Sequence, residues 1–521
     1  MTHIAAPIML GDPATARRIA GEALAMGADL IEWRMDMAEA AAIQQIFSDP
    51  IVRGAPWILT IRPTWEGGKF GGDESARLDL FRTCLQYHPR YIDIELEAWE
   101  RDPRFAQFYC RLETNRRPKL ILSSHHFDKK PADTAGILAR IARHPEVNVA
   151  KIAFQAADLA DAIDALELYA PLKHYPGLSG VFLAMGDFGV ISRTLAGKFG
   201  AEFTFGIVPG NAPTAAGQPS IRDLKDVFAM QLQQKSWQVC GLVGWPVAQS
   251  VGPHMHNAAM RAIDFPGVYV RLPLAGDYES LAHILDRLRN SAAMNICGVS
   301  VTIPHKENAH RFVRQRGGKI DGVDIGAINT ILFPPHAPPI GFNTDAPGAL
   351  AAILRGAALS DEELRGRRAA IIGAGGAARG IASILASRQC AVDLYNRTPQ
   401  RAAELIHDLA AHGFHCNAFA LSELGAHPFD MLIQCTPVGM HPHIDAMPIA
   451  EDTPIAPGTI VMDTIYNPRI TKLLSWASRR GAVCVPGLEM LIEQGALQFS
   501  RFTGHSPPLG IMREAAEKAL S

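Results

Sequence analysis

The 521-residue sequence reads as an α/β protein, an N-terminal (β/α)8 barrel followed by a two-domain unit that carries a doubly wound, Rossmann-type sheet. Its length is one reason, because about 150 residues per domain leaves too much chain for a single core. The second is an alternation, up to residue 210, of short β-rich apolar runs with longer helical stretches. A strand-to-glycine turn at 367–379, RRAAIIGAGGAAR, is the third.

The runs IAAPIML (4–10), DLIEWRM (29–35), WILTIRP (57–63), YIDIEL (91–96), LILSSH (120–125), VAKIAF (149–154), VFLAMG (181–186) and EFTFGI (202–207) supply eight strands. Eight β/α units before residue 236 suit a barrel, typically ~250 residues, with a doubly wound sheet as the rival. Glu32, Arg34, Arg62, Glu95, His125 and Lys151 fall within or at the far ends of these runs, where a barrel has its mouth. DLKDVFAMQLQQKSW (223–237) reads as a last helix, which puts a domain boundary near 236. Runs at 268–274, 296–303, 327–333 and 339–343 suggest a second α/β domain, 237–345. Residues 346–489, with AVDLYNRT, FDMLIQCTP, TIVMDTIY and AVCVPG, make a third, and the helical tail 490–521 completes the second.

Apolar residues at 48% and charged residues at 20% are ordinary for a globular chain and exclude wholesale disorder. A formal net charge of -2 gives no basic footprint, so no nucleic-acid partner is expected. The eight cysteines show no CxxC spacing or Cys/His cluster, which predicts reduced thiols, a cytoplasmic enzyme and no metal. The N-terminal segment has no basic region, so no signal peptide is expected. The longest uncharged run, 325–344, is broken by prolines and glycines, so no membrane span is expected either.

Gly373, Gly375, Gly376 and Ala377 sit between a strand and a small-residue helix, where a tight turn lets a pyrophosphate approach backbone N–H groups. The next strand ends in Asn396, Arg397 and Thr398, with Arg401 close behind, instead of the acid that would bind a ribose 2′-hydroxyl. Guanidinium groups there suit a 2′-phosphate, which predicts NADP(H) over NAD(H). A merely solvated helix start is the bland alternative.

From residue 237 onward the chain resembles shikimate dehydrogenase, on GWPVAQSVGPHMHN (244–257), SVTIPHK (300–306), GAINT (326–330), GFNTDAPG (341–348) and GLEMLIEQG (487–495). The resemblance implies Lys306 and Asp345 as the catalytic pair and Ser250, Thr302, Asn329, Tyr466 and Gln494 around the substrate. Gly487 is expected beside the cofactor. A Lys ammonium next to a carboxylate suits protonation of the alkoxide that ketone reduction leaves, although a lone Lys and Asp more often form a surface salt bridge.

The first part resembles type I 3-dehydroquinate dehydratase, on IEWRMD (31–36), TIRPTWEGG (60–68), SSHHF (123–127), VAKIA (149–153), SRTLAGKFG (192–200) and AAGQPSI (215–221). This implies Lys151 as Schiff-base nucleophile, His125 as proton shuttle and Glu66 as its partner. Arg193 is expected to clamp the substrate carboxylate, with Glu32, Arg34, Arg62, Thr214 and Gln218 around the ring. Burial beside Arg34, Arg62 and Arg193 is expected to favour the free amine of Lys151. A single histidine is more often structural, but the place of His125 at a strand end, one strand before Lys151, favours the shuttle, and alternation turns His126 away.

Ser250-Val251-Gly252-Pro253 departs from the S-x-S-P usual in the dehydrogenase family, Gln249 replaces a common histidine and Ser300 a common asparagine. The lost hydroxyl at Gly252 opens space where quinate carries an extra group.

The resulting expectation is a bifunctional enzyme that dehydrates 3-dehydroquinate and reduces 3-dehydroshikimate to shikimate with NADPH. The alternatives are a dehydratase fused to a quinate dehydrogenase, a ligand sensor without activity, and a class I aldolase in the barrel.

Overall fold

The computed structural model describes residues 1–211 and 217–520, so the expected site residue Thr214 lies outside the described residues. The chain divides into two compact units. One comprises residues 1–237 with the short pieces 270–274 and 291–295, and the other comprises the remainder.

The first unit is a parallel barrel of β1 (His3–Met9), β2 (Leu30–Arg34), β3 (Trp57–Thr60), β4 (Tyr91–Glu95), β5 (Lys119–His126), β6 (Val147–Gln155), β7 (Ser179–Met185) and β8 (Phe203–Phe205). The pairing order is β7-β6-β5-β4-β3-β2-β1-β8. Between its ends, Glu202 N–H donates to Gly180 O at 3.0 Å, which nearly closes the ring. Six of the surrounding helices begin at an aspartate whose side chain accepts a first-turn N–H: Asp12, Asp49, Asp73, Asp102, Asp133 and Asp158. Each such cap contributes about 1 kcal/mol. Inside, one apolar layer gathers Leu30, Ile58, Tyr91, Ile121, Val149, Val181 and Phe203 from successive strands. Charged residues follow in the next positions along β2, β4 and β6, so the chemistry lies above a packed floor.

The helix expected over 223–237 is a correction. A short π-helix covers Asp223–Val227 and a 3-10 turn covers Met230–Leu232, because Ala229 between them adopts a left-handed φ of 46° that ends the first helix.

Beyond residue 237 the chain forms two six-stranded sheets. The first contains β9 (Gln238–Gly244), β10 (Gly267–Pro273), β11 (Ile296–Val301), β12 (Lys319–Asp321), β13 (Thr330–Leu332) and β14 (Ile340–Phe342), in the order β10-β9-β11-β13-β14-β12. The second contains β15 (Arg368–Ile372), β16 (Ala391–Asn396), β17 (Asn417–Ala420), β18 (Met431–Gln434), β19 (Ile460–Asp463) and β20 (Val483–Val485), in the order β17-β16-β15-β18-β19-β20. All its pairs are parallel, and the order reverses between β15 and β18, the switch point where such sheets bind ligands. β12 and β17, which carry little apolar pattern, escaped the sequence reading because both are partly exposed edge strands. The closing helices Gly487–Thr503 and Leu509–Leu520 pack Leu488, Ile492, Phe499 and Met512 against Cys240, Met255 and Tyr269.

The expectation that all eight thiols are reduced is corrected as well. Cys240 on β9 and Cys297 on β11 form a disulfide across 57 residues, and the other six cysteines are free. Adjacent strands bring the two Cα atoms to 5.8 Å, a proximity that local spacing does not encode. Among the described residues no helix is long and apolar enough to cross a membrane.

Candidate active sites

In the barrel, one cavity is bounded by Glu32, Arg34, Arg62, Glu66, His125, Lys151, Arg193 and Gln218, with Leu183, Met185, Phe127 and Phe205 as apolar wall. Eight of the nine residues expected there therefore share one space, and Thr214 is the undescribed ninth.

Lys151 projects inward from the middle of β6. Its Nζ lies 2.8 Å from Asp93 Oδ2, 3.5 Å from Glu32 Oε1 and 5.0 Å from the centre of the Phe205 ring. Asp93, absent from the expected set, also accepts from Ser123 Oγ at 2.6 Å and pairs with Arg62 Nη2 at 2.8 Å. Burial alone would raise its carboxyl, but Arg62 and then Lys151 outweigh that and hold it well below the ordinary carboxylate range. Beside the expected Glu32, a second carboxylate, Asp93, thus stands at the amine. Arg62 is occupied by Asp93 and by Glu95, at 2.6 Å, and Arg34 by Asp36, so neither is a free cation.

Glu66 Oε1 accepts from the His125 backbone N–H at 2.7 Å and contacts His125 Nδ1 at 2.8 Å. With Nδ1–H donated there, Nε2 is left as the basic nitrogen. Burial, then Arg62 and Lys151, drives His125 well below its ordinary value. Burial pushes Glu66 up to about 8, with Arg62 opposing and Glu95 adding to the rise. Both directions favour an uncharged pair near neutral pH. Phe127 stacks against His125 with ring centres 6.1 Å apart, and Gly67, at φ 73°, leaves room for it, since a Cβ there would meet Phe127 Cε2 at 2.2 Å. Arg193 donates from Nη1 to Ala184 O at 2.7 Å, while its buried Nε has no partner. Burial lowers Arg193 to about 10, and a carboxylate placed at that Nε would satisfy it.

In the second unit, Lys306 opens the helix Lys306–Gln315 and Asp345 opens the helix Asp345–Gly356. Lys306 Nζ donates to Asp345 Oδ2 at 2.6 Å, both side chains being less than one-fifth exposed, so this is no surface pair. Asn329 donates from Nδ2 to Thr344 Oγ1 at 2.9 Å and accepts the Thr344 N–H at 2.8 Å. Gln494 Oε1 lies 3.4 Å from both Asn329 Nδ2 and Thr344 Oγ1. Thr344 was not expected, nor was Gln498, which bonds Ser300 Oγ at 2.7 Å and Thr330 Oγ1 at 3.1 Å and so ties Ser300 to β13, directly after Asn329. Ser250 Oγ accepts the Gly252 N–H at 3.2 Å. Thr302 follows β11 at the same end of the sheet, and a Cβ on Gly244 would meet its Cγ2 at 2.4 Å. Tyr466 packs on the cluster formed by the closing helices.

Gly373 takes φ 118°, in a turn where a Cβ would meet Cys435 O at 3.2 Å. Gly375 has open space around it and caps the helix Gly376–Ser387, whose first turn includes Ala377 and holds no acid. A Cβ on Gly376 would come 3.4 Å from Lys306 Cδ, so the glycine turn borders the lysine. Asn396 Nδ2 donates to Thr398 O at 2.8 Å and fixes the turn that carries Arg397. Arg397 and Arg401 are exposed, with no side-chain partner among the described residues. These residues fit a phosphorylated dinucleotide: open backbone at a helix N-terminus, then two uncommitted cations. Gly487, in contrast, meets the backbone at Ile465, where a Cβ would be 2.4 Å from the carbonyl oxygen, and is not part of the glycine turn.

Residues 4–235 match the family described as type I 3-dehydroquinase. Residues 242–331 match the shikimate dehydrogenase substrate binding domain, 356–463 shikimate / quinate 5-dehydrogenase, and 487–517 the shikimate 5'-dehydrogenase C-terminal domain. A chloroplastic bifunctional 3-dehydroquinate dehydratase/shikimate dehydrogenase of Arabidopsis thaliana is 33% identical over 504 residues, 93% of this chain and 79% of the relative. A shikimate dehydrogenase (NADP(+)) of Methanothermobacter thermautotrophicus is 38% identical over 290 residues, 54% of this chain and 97% of that protein. A shikimate dehydrogenase crystallised with NADP+ superposes with a TM-score of 0.50 at 32% identity, covering 56% of this chain and 98% of its own.

Proposed function

The chain belongs to the bifunctional 3-dehydroquinate dehydratase/shikimate dehydrogenase family, and we propose on that basis that its barrel converts 3-dehydroquinate to 3-dehydroshikimate and its second unit reduces that product to shikimate with NADP(H). The observation that carries this reading is the pair of buried amines, Lys151 at Asp93 and Lys306 at Asp345, each in its own site.

In the barrel, the neutral Lys151 amine adds to the substrate ketone, and loss of water leaves a cationic imine. Asp93 and Glu32 stand where that positive charge forms, so the carboxylates favour the intermediate more than the free ketone. The iminium acidifies the adjacent C–H. His125 Nε2 takes that proton, the electron pair moves into the imine, and the hydroxyl departs with the proton as water. Hydrolysis of the remaining imine returns Lys151. Arg193 holds the substrate carboxylate through its unpaired Nε.

In the second unit, the 373–377 turn would hold the pyrophosphate of NADPH and Arg397 and Arg401 its 2′-phosphate, and the cofactor would supply the hydride for the ketone carbon. Lys306 donates the proton that the nascent alkoxide needs, and Asp345 orients its ammonium. Asn329, Thr344 and Gln494 form the polar wall for the ring hydroxyls, with Ser250 and Thr302 toward its carboxylate. The proposed partners are these small molecules alone. The proposed location is the cytoplasm, supported by the six free cysteines, while the Cys240–Cys297 disulfide points the other way and the Arabidopsis relative is chloroplastic.

Quinate is a second substrate reading, raised by the missing hydroxyl at Gly252. The expected open space is not there: a Cβ placed on Gly252 would already meet Ser250 Oγ at 3.2 Å and Tyr269 Cε1 at 3.4 Å. Comparing kcat/KM for shikimate and quinate separates the two, and a value favouring quinate replaces the biosynthetic reading.

Borohydride reduction in the presence of 3-dehydroquinate tests the dehydratase proposal. A mass increase on the Lys151 peptide is expected, and an unmodified Lys151 would return the barrel to a sensing role.

A further inference from the structure

We propose that Arg77, on the helix Glu74–Leu85 outside the barrel, is a positioning residue for the dehydratase reaction, acting through Glu95 and Arg62 on the Asp93–Lys151 pair. The inference rests on the dehydratase reading above.

Arg77 is fully buried, and its guanidinium lies 4.8 Å from the centre of the Phe105 ring. Its Nε pairs with Glu74 Oε2 at 2.6 Å, and its Nη1 donates to Glu95 Oε2 and, at 3.3 Å, to Ile61 O. Glu95 is also fully buried, and its other oxygen, Oε1, accepts from Arg62 Nη1 at 2.6 Å. Arg62 Nη2 continues to Asp93 Oδ1 at 2.8 Å, and Asp93 Oδ2 receives Lys151 Nζ at 2.8 Å. One unbroken series of charge-assisted hydrogen bonds therefore runs from behind the barrel wall to the nucleophile.

Stability is a poor reason for such an arrangement, because apolar residues of similar volume often serve a buried ion-pair site as well or better. Its effect on the site is specific. Asp93 and Glu95 share one face of β4 and would otherwise compete for Arg62. With Arg77 on the outer oxygen of Glu95, Arg62 can spread across both acids and keep Asp93 in register with Lys151.

The groups facing Lys151 and Glu95 are Glu32 on β2, Arg62 after β3, Glu66 on the turn that follows, Asp93 on β4 and His125 on β5. Arg34 and Arg193 stand at the cavity wall. Removing Arg77 leaves this set one positive charge short and frees Glu95 to compete with Asp93 for Arg62. Loss of the guanidinium therefore shifts the pH dependence of imine formation to the alkaline side.

The test uses the full chain with Arg77→Gln and Arg77→Lys, and the dehydrogenase turnover of each preparation counts intact protein. Borohydride trapping with 3-dehydroquinate across pH gives the fraction of trappable sites and the midpoint of imine formation. For Arg77→Gln, kcat per trappable site should fall about ten- to a hundredfold, and the trapping midpoint should move about one pH unit alkaline. Arg77→Lys, which keeps the charge but not the fork, should lie between it and the parent. If Arg77→Gln does not fold, Arg77→Lys and Glu74→Gln carry the same comparison. Fewer trappable sites, each with the parent's kcat and midpoint, would overturn the proposal and leave Arg77 as packing alone. Absence of trapping in the parent chain would instead overturn the dehydratase reading, and this proposal with it.

Discussion

Lys151 Nζ on β6 and Asp93 Oδ2 on β4 stand 2.8 Å apart across the intervening strand β5, both buried, with Ser123 of that strand bonded to the same carboxylate. A barrel interior is where such a pair can be held without solvent, and it sets the charge around the nucleophile.

Asp93→Asn should cost both stability and rate. It leaves Arg62 and Lys151 without a shared anion in a buried site, a loss on the order of 3–5 kcal/mol. The imine forms without its counter-charge, so kcat for 3-dehydroquinate should drop about a hundredfold or more. Denaturant midpoints and dehydratase rates check the two effects separately, while dehydrogenase turnover should be unchanged.

Glu66 gives a pH signature. Its folded value of about 8 lies above its ordinary 4.5, so the stability it contributes is complete below 4.5 and is lost as pH rises through 8. The parent should therefore lose stability over that window, up to roughly 5 kcal/mol from this group. Glu66→Gln should flatten the loss in pH-dependent unfolding curves. The same variant should remove an inflection near pH 8 from the dehydratase kcat/KM profile.

The barrel strands were legible because short β-rich apolar runs alternate with longer helical stretches, and the runs of β2 to β6 carry charged or titratable residues toward the same end. Asp93 was within reach of the same rule, since it precedes Glu95 by two residues and so shares its face. Thr344 and Gln498 were harder to find. Their roles arise from crossings, with the helix Gly487–Thr503 against β13 and the helix Asp345–Gly356, that no local spacing specifies. The Cys240–Cys297 bond follows from the pairing of β9 with β11, which spacing also leaves open.

Lys306→Met and Asp345→Asn divide the dehydrogenase roles. Removing the proton donor should lower kcat by about a hundred- to ten-thousandfold. Asp345→Asn should lower it less and move the pH optimum, because the ammonium loses its orienting charge. Neither change should alter dehydration of 3-dehydroquinate, which assays of each half on one preparation will show.

Arg397 and Arg401 offer uncommitted cations beside the glycine turn. The double substitution Arg397→Ala, Arg401→Ala should raise KM for NADPH about tenfold or more, with little change for NADH. Equal effects on both dinucleotides would place the 2′-phosphate elsewhere.

The most direct measurement supplies the full chain with 3-dehydroquinate and NADPH, follows NADPH absorbance, and identifies the product. The parent should consume NADPH and yield shikimate. Lys151→Ala should consume none from 3-dehydroquinate yet proceed normally from 3-dehydroshikimate. NADPH consumption by Lys151→Ala from 3-dehydroquinate at the parent's rate, or none by the parent, would contradict two lysines acting in sequence on one chain.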